Sequence, residues 1–598
     1  MARQAALKWK ERRIPASSSK ALDKLTSFRP RRLDVLLDLP AAITGESDLS
    51  LPDLSAFPTP VEKAQRLLEV AAAIEHGLMV QYLYSGYGLA VPNSPVLGIA
   101  VEEMSHLMTV QNLLRVIGKG PHFERQDFGT PVSEDERLFP FDLLLEPLSK
   151  VSLAKYVVAE SPKDVPTGVD TGLMKRIVDL ATQGTAGLGV NRVGSLYALL
   201  GAVFGSEQLL LEKAAGGDPW YVLVNEVAAQ AASEYGGRDR LHLPDATFVS
   251  TSDAAQASDA EWDRSKVGPI DEFRVHTVNS RLSALEALRD ISLQGEGPSG
   301  LANEVSHFLR FYTIFKTFFG PDGAGTAPPI GVANVPRGTR IVIDEASPDP
   351  NVISNPAAAR WARLADCRYA LLLGFLEQHL TMPKPDRVFL QGWAFAEMFA
   401  VKKLARLLPQ MQRGAAGQPL VAAMPFNLPP WHGQSPSWSD LEHVLESADR
   451  EIVGIQTAGG ITDEQQRILG HLASADRNKL SDIRARQTGG TTRRKLDRVR
   501  EILDWGAGTG DPQHLGSSPT IPDANQGRFW NLPLNEIKQT SVFGQNVIEV
   551  PADGGDPLLV SMLRSGMMPR GRPPLPADSE EFTILEEWIR KGCPDESI

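Results

Sequence analysis

Apolar residues return every three to four positions through VEKAQRLLEVAAAIEHGLMVQYLYSGYGLA, where Leu67, Ala71, Ile74, Leu78 and Tyr82 form one stripe. Glu75 breaks into that stripe. The pattern predicts an amphipathic helix with a carboxylate on its apolar face. A second periodic stretch is opened by Pro92, Asn93, Ser94 and Pro95 and closed by Gly118 and Gly120, and it carries Glu103 and His106 in EEMSH. The short connection between the two predicts an antiparallel hairpin. Further along, FRVHTVNSRLSALEALRDISLQGEG predicts a third helix ending in the glycine-flanked Glu296. GLANEVSHFLRFYTIFKTFFG predicts a fourth, with Glu304 and His307 in NEVSH.

The breaks in periodicity set the expected organisation, a mainly α chain built on a four-helix bundle. Residues 1–58 read as a basic, then Pro- and Asp-rich lead-in, and the bundle occupies 59–325. Within the bundle lies a long insertion, 121–270, expected to form a lid or a substrate wall, because a loose loop of that length is uncommon in a compact domain. A Gly- and Pro-rich connector leads to a second helical part, 326–432, with helices expected over 357–380 and 387–410. GQSPSWSD, at 433–440, reads as a boundary, with a separate, mostly helical domain over 441–598.

Glu and His three residues apart project from one helix face, so each Glu-x-x-His offers an oxygen and a nitrogen to one point. A bundle that holds two metal ions takes a Glu from each of two helices and a Glu-x-x-His from each of the other two. Glu75, Glu103, His106, Glu296, Glu304 and His307 would complete that set. Carboxylate and imidazole ligands suit iron, with manganese an alternative. A bland reading stands beside each residue. A single Glu-x-x-His occurs by chance, and Glu304 could be a first-turn carboxylate facing the helix dipole, which would leave a one-metal site. His76, about 100° around the helix from Glu75, reads as a packed or surface imidazole. Tyr82 and Tyr84 read as core, with Tyr82 also a candidate pocket residue. Glu377, His379 and Glu397 read as structural. Glu102 is expected to point away from the imidazoles.

The runs IEHGLMVQYLYSGY, GIAVEEMSHLMTVQNLLRVIGKGPHF, QGEG and SHFLRF follow in an order that resembles the ferritin-like domain of the iminophenylpyruvate dimer synthase and chromopyrrolate synthase family of violacein and indolocarbazole pathways. The likeness covers roughly 60–320 and weakens through about 430. Members usually carry Pro-Tyr-Leu-Tyr where this chain has Val80, Gln81, Tyr82, Leu83 and Tyr84, which puts the pocket wall beside Glu75 in question. The resemblance implies oxidative coupling of two imino acids supplied by an amino-acid oxidase, and a haem has been associated with some members. It also implies that Glu160, in AESP, lines the pocket or caps a turn. The end of the chain, DPLLVSMLRSGMMPRGRPPLPADSEEFTILEEWIRKGCPD, resembles the last half of a cytochrome-c-like domain, with Met567 or Met568 at the axial position. The chain contains no Cys-x-x-Cys-His, so a haem-free relic or docking module is expected there.

Composition narrows the classes. The net charge of −12 argues against general nucleic-acid binding. The basic residues Arg3, Lys8, Lys10, Arg12 and Arg13 read as a solvated tail, and no apolar run follows Arg12 and Arg13 to make an export signal. Two cysteines, Cys367 and Cys593, exclude a disulfide framework. No apolar run is long enough to span a bilayer, so a cytoplasmic protein is expected. Three functions remain. The first is a non-haem metal oxidase that uses dioxygen or peroxide on a small amino-acid-derived or imino-acid substrate. The second is a metal-handling or peroxide-scavenging bundle, and the third is a scaffold for a biosynthetic complex. The ligand set favours the first, and a homodimer is compatible with it.

Overall fold

The computed structural model describes residues 51–487, apart from short segments that include 126–139, 186–191, 263–272 and 297–304, and parts of 499–593. The lead-in before residue 51, Glu304, Met567 and Met568 lie outside the described residues.

The first helix, α1 (Pro60–Tyr87), starts where its sequence supplies a complete cap. Thr59 accepts from the Glu62 N–H, Glu62 returns the bond, and Pro60 occupies a position that needs no N–H. Helix α2 (Pro95–Val116) runs back antiparallel against it. Their closeness explains Gly86, where a Cβ would lie 2.6 Å from a Leu97 methyl. Next come α3 (Lys150–Ala159), α4 (Thr171–Gly184), α5 (Val193–Phe204), α6 (Glu207–Ala215) and α7 (Pro219–Glu234). Helices α8 (Arg281–Glu296) and α9 (His307–Phe319) complete the first part.

The segment expected as a lid or wall is more central than that. Helix α5 packs on both α1 and α8, and α3 packs on α9, so two of its helices sit directly against the bundle. Their composition explains this: Leu199, Leu200, Val203 and Phe204 of α5, and Leu153, Tyr156 and Val157 of α3, are all buried. The second Glu-x-x-His also differs from expectation. Ser306 has an extended ψ of 158° and its hydroxyl accepts from the Leu309 N–H, so it is the N-cap and the helix begins at His307. Of the motif's two ligand candidates, His307 is therefore the first residue of the helix, and Glu304 lies outside the described residues.

Helices α10 (Pro356–Thr381), α11 (Lys384–Leu407), α12 (Trp438–Ala458) and α13 (Asp463–Gln487) follow. The boundary expected at 433–440 is not a break in the core. Ser437 there caps α12, and Leu441, Val444, Leu445 and Ile452 join the same hydrophobic core as the bundle. A separate core begins only at Val499 and includes Trp530, Phe582 and Trp588. His76 is a packed residue: its Nδ1 contacts the Phe123 carbonyl at 2.9 Å and its Nε2 contacts the Tyr369 hydroxyl, which ties α1 to α10.

Helix α13 is held by a buried ionic network. Arg368 of α10 forks onto both oxygens of Asp476, while Lys479 pairs with Glu397 of α11; all four are at most 4% exposed. Two positive charges meet two negative ones, so none is stranded. Glu397 thus takes the structural role expected of it. Replacing Arg368 by Met should lower stability by about 3–5 kcal/mol, because it leaves Asp476 buried without its partner. The double change Arg368→Met with Asp476→Leu should recover much of the loss, and urea unfolding followed by circular dichroism measures both.

Candidate metal centre

Four segments bring ionisable side chains to one buried point. Helix α1 supplies Glu75, α2 supplies Glu103 and His106, the C-cap of α3 supplies Glu160, and the first residue of α9 is His307. Each is at most 4% exposed. Glu103 and His106 share a face of α2 because they are three residues apart. His307 is fixed by the Ser306 cap, which sets where α9 begins.

Glu103 lies between the two imidazoles. Its Oε2 is 3.0 Å from His106 Nδ1, and its Oε1 is 3.0 Å from His307 Nδ1. The two rings are 5.4 Å apart, centre to centre. Glu75 Oε2 stands 3.5 Å from His106 Nδ1, and Glu160 Oε2 stands 3.9 Å from His307 Nδ1. Each outer carboxylate also accepts a buried phenol: Tyr197 donates to Glu75, and Tyr82 donates to Glu160 at 2.7 Å. On their far sides the rings are anchored as well. His106 Nε2 bonds to Gln294 Oε1 at 2.8 Å, and His307 Nε2 to Glu102 Oε2 at 2.9 Å. Both Nδ1 atoms therefore face the shared carboxylate.

Burial and mutual repulsion split the carboxylates. Burial, joined by the charge of Glu103, pushes Glu75 up to about 7. The same two causes push Glu160 to about 8. Burial also opposes ionisation of Glu103, yet His307 and His106 on either side hold it well below the usual range. The imidazoles respond in the opposite sense. Burial works against their charge, but Glu103 with Glu102 raises His307 to about 10, and Glu103 with Glu75 raises His106 well above its ordinary value. For Glu102, burial is outweighed by His307 and Arg310, which hold it at about 2. Protons on the imidazoles thus offset the buried negative charge.

These groups fit a metal. Glu75 Oε2, Glu103 Oε1 and His307 Nδ1 are buried with no aligned hydrogen bond, even though Glu103 Oε1 and His307 Nδ1 are in close contact. Unpaired buried polar atoms are rare and call for an explanation. Ligand atoms of Glu103, His106 and His307 all lie within 4.8 Å of one another. The adjoining cavity has a volume of about 10 Å³, room for a water or an ion. Glu75, Glu103, His106, Glu160, Tyr197 and Glu296 line it, and Glu296 is the one nearest solvent.

A family model described as Ferritin-like matches residues 68–316. That span is a ferritin-like domain. The chain is also similar to a dichlorochromopyrrolate synthase from Lentzea aerocolonigenes, 27% identical over 139 residues. That match covers 18% of this chain and 14% of the length of the synthase. No solved structure matches the chain.

Within the ferritin-like domain, Glu75, Glu103, His106 and His307 come together, and Glu160 joins them from a helix outside the four that were expected. Glu296, expected as a ligand, lines the same cavity, and its Oε1 accepts from the Gly194 N–H at the start of α5, 2.6 Å away. Burial lifts this carboxyl to about 7, with Arg192 opposing. A Cβ at Gly194 would lie 1.9 Å from Glu296 Oε2, so glycine is what leaves room for it. Glu102, expected to point away, does turn from His106 but meets His307 across the bundle. Gln294, Arg310 and Tyr197 were not singled out from the sequence. Gln294 and Arg310 are close in sequence to predicted ligands, whereas nothing local marks Tyr197.

Metal binding should release protons, because the imidazole Nδ1 atoms are protonated near neutral pH and must give way to the ion. Affinity should fall as pH falls, by about tenfold per pH unit for each proton displaced. The dependence should steepen below about 8 and again below about 7, where Glu160 and then Glu75 also take up protons. Calorimetric titration in buffers of different ionisation enthalpy counts those protons, and a count of zero would refute this protonation scheme.

Proposed function

We propose that this chain is a metal-dependent oxidative enzyme of specialised metabolism, acting on a small amino-acid-derived or imino-acid substrate with dioxygen or peroxide as the oxidant. The observation that carries this reading is the buried set of two imidazoles around one carboxylate with three unsatisfied ligand atoms. Similarity to a chromopyrrolate synthase supports the substrate class, and oxidative coupling of two imino acids is the reaction that class suggests. An amino-acid oxidase would supply the imine.

Glu103, His106 and Glu75 would hold one ion, and Glu103, His307 and Glu160 a second, with iron first and manganese as the alternative. A bound ion of this kind supplies the ability to take electrons from substrate and pass them to the oxidant. The residues around it control the rest. Gln294 and Glu102 keep both Nδ1 atoms aimed inward by holding the opposite ring nitrogens. Tyr197 and Tyr82 fix Glu75 and Glu160 and keep an exchangeable proton beside each. Coupling forms one carbon–carbon bond and removes two electrons and two protons, which reduces peroxide to two waters or dioxygen to peroxide. The small cavity suits the oxidant, so the organic substrate is expected on the side of Glu296 and Gly194, where the lining is nearest solvent.

Elemental analysis and an optical spectrum of the purified chain come first, with about two iron or manganese ions and no Soret band expected. The chain is then incubated with an amino-acid oxidase, its amino acid and peroxide, and coupled product is followed by mass spectrometry. Glu103→Ala with His106→Ala should lose both the metal and the product. Full metal content in that variant would overturn the site assignment, coupling without metal would overturn the mechanism, and a Soret band would favour haem.

A further inference from the structure

We propose that the two ion positions are unequal, with Glu102 making the His307 position the tighter one and leaving the His106 position to exchange or change its coordination. This rests on the metal reading above. The two halves of the cluster correspond at almost every point. Glu103 offers one oxygen to each imidazole, at 3.0 Å on both sides, though only the contact with His106 is aligned as a hydrogen bond. Each half has one outer carboxylate, Glu75 or Glu160, and each of these accepts one buried tyrosine. Both imidazoles present Nδ1 to the cluster and spend Nε2 elsewhere.

The halves part at that second nitrogen. His307 Nε2 donates to the carboxylate of Glu102, and His106 Nε2 donates to the neutral amide of Gln294. A hydrogen bond to an ionised acceptor is roughly twice as strong as one between neutral groups. It draws the Nε2 proton away from the ring and leaves more electron density on Nδ1, which makes His307 the better donor to a cation. Arg310 Nη1 lies 2.6 Å from both Glu102 oxygens. It secures the carboxylate in place and shares its charge, so it reduces the difference without removing it.

Position in the cavity gives the inequality a use. His106, Glu75, Glu103 and Glu160 line the cavity, and His307 does not. The neutral-backed imidazole therefore borders the cavity, and the carboxylate-backed one does not. His307 would hold its ion away from the cavity, and His106 would leave its own open to exchange. Glu102 and Gln294 are positioning residues in this scheme, since neither offers an atom to the cluster.

Titration of the full-length chain with manganese(II), read from the electron paramagnetic resonance of free metal, tests this. Wild type should bind in two steps separated by tenfold or more, and Glu102→Gln should weaken the first step by about 10–100-fold while leaving the second within about twofold, so that the steps converge. Gln294→Glu should strengthen the second step and close the gap from the other side, which keeps the test decisive if Glu102→Gln folds poorly. A general structural fault would lower both steps together. Two equal steps in wild type, or a Glu102→Gln variant with its first step intact, would overturn the proposal. Uptake of no manganese at all would overturn the metal reading as well, which separates the two failures.

Discussion

The contact on which this site depends is the carboxylate of Glu103 held between two buried imidazoles. An uncompensated charge at that depth costs several kcal/mol. The chain meets the cost by surrounding Glu103 with His106 and His307 and by leaving Glu75 and Glu160 poised to carry protons near neutrality. The protonated imidazoles do in the metal-free protein what cations would do in the loaded one. This charge balance explains why a hydrogen-bonded shell of Tyr82, Gln294, Tyr197 and Glu102 surrounds the cluster: the polar atoms turned away from its centre are buried and need partners of their own.

That shell is drawn from elements far apart in the chain. Tyr197 and Gly194 come from α5 and Glu160 from the end of α3, both within the segment that a simple bundle would treat as decoration. Burial of the apolar faces of these helices against α1, α8 and α9 places their polar ends at the cluster. Packing therefore positions the chemistry, and the glycine at 194 is an instance: the absence of a side chain there gives Glu296 its place beside the α5 amide. The same logic operates away from the site. The network of Arg368, Asp476, Glu397 and Lys479 fixes α13 to α10 and α11, and extends one continuous core to a helix that composition alone would assign to another domain.

Much of this was legible beforehand because it is local. The apolar stripes of α1 and α2, the proline and capping residues that start α1, and the carboxylates interrupting their faces are written at spacings of three and four residues, and those spacings impose a helix and a shared face. Glu75, Glu103, His106 and His307 could be found for that reason. Glu160 was open to only a two-way reading, pocket wall or turn cap, and it is both; its distance from His307, and the contact of Glu296 with Gly194, depend on which helix end reaches the cluster. Ser306 illustrates the limit at short range: serine before a helical run signals a cap, but the Glu-x-x-His pattern laid across it suggested an unbroken turn.

What the sequence determined by itself was therefore the helices, their apolar faces and the residue types able to bind a metal, because periodicity and capping act within a few residues of the chain. The tertiary structure alone decided which carboxylate stands beside which imidazole, that Glu102 serves the histidine of a distant helix and not its own, and that α3 and α5 belong to the bundle. Those outcomes depend on burial and charge compensation among groups that meet only when the helices are packed, and no spacing along the chain encodes a distance across it.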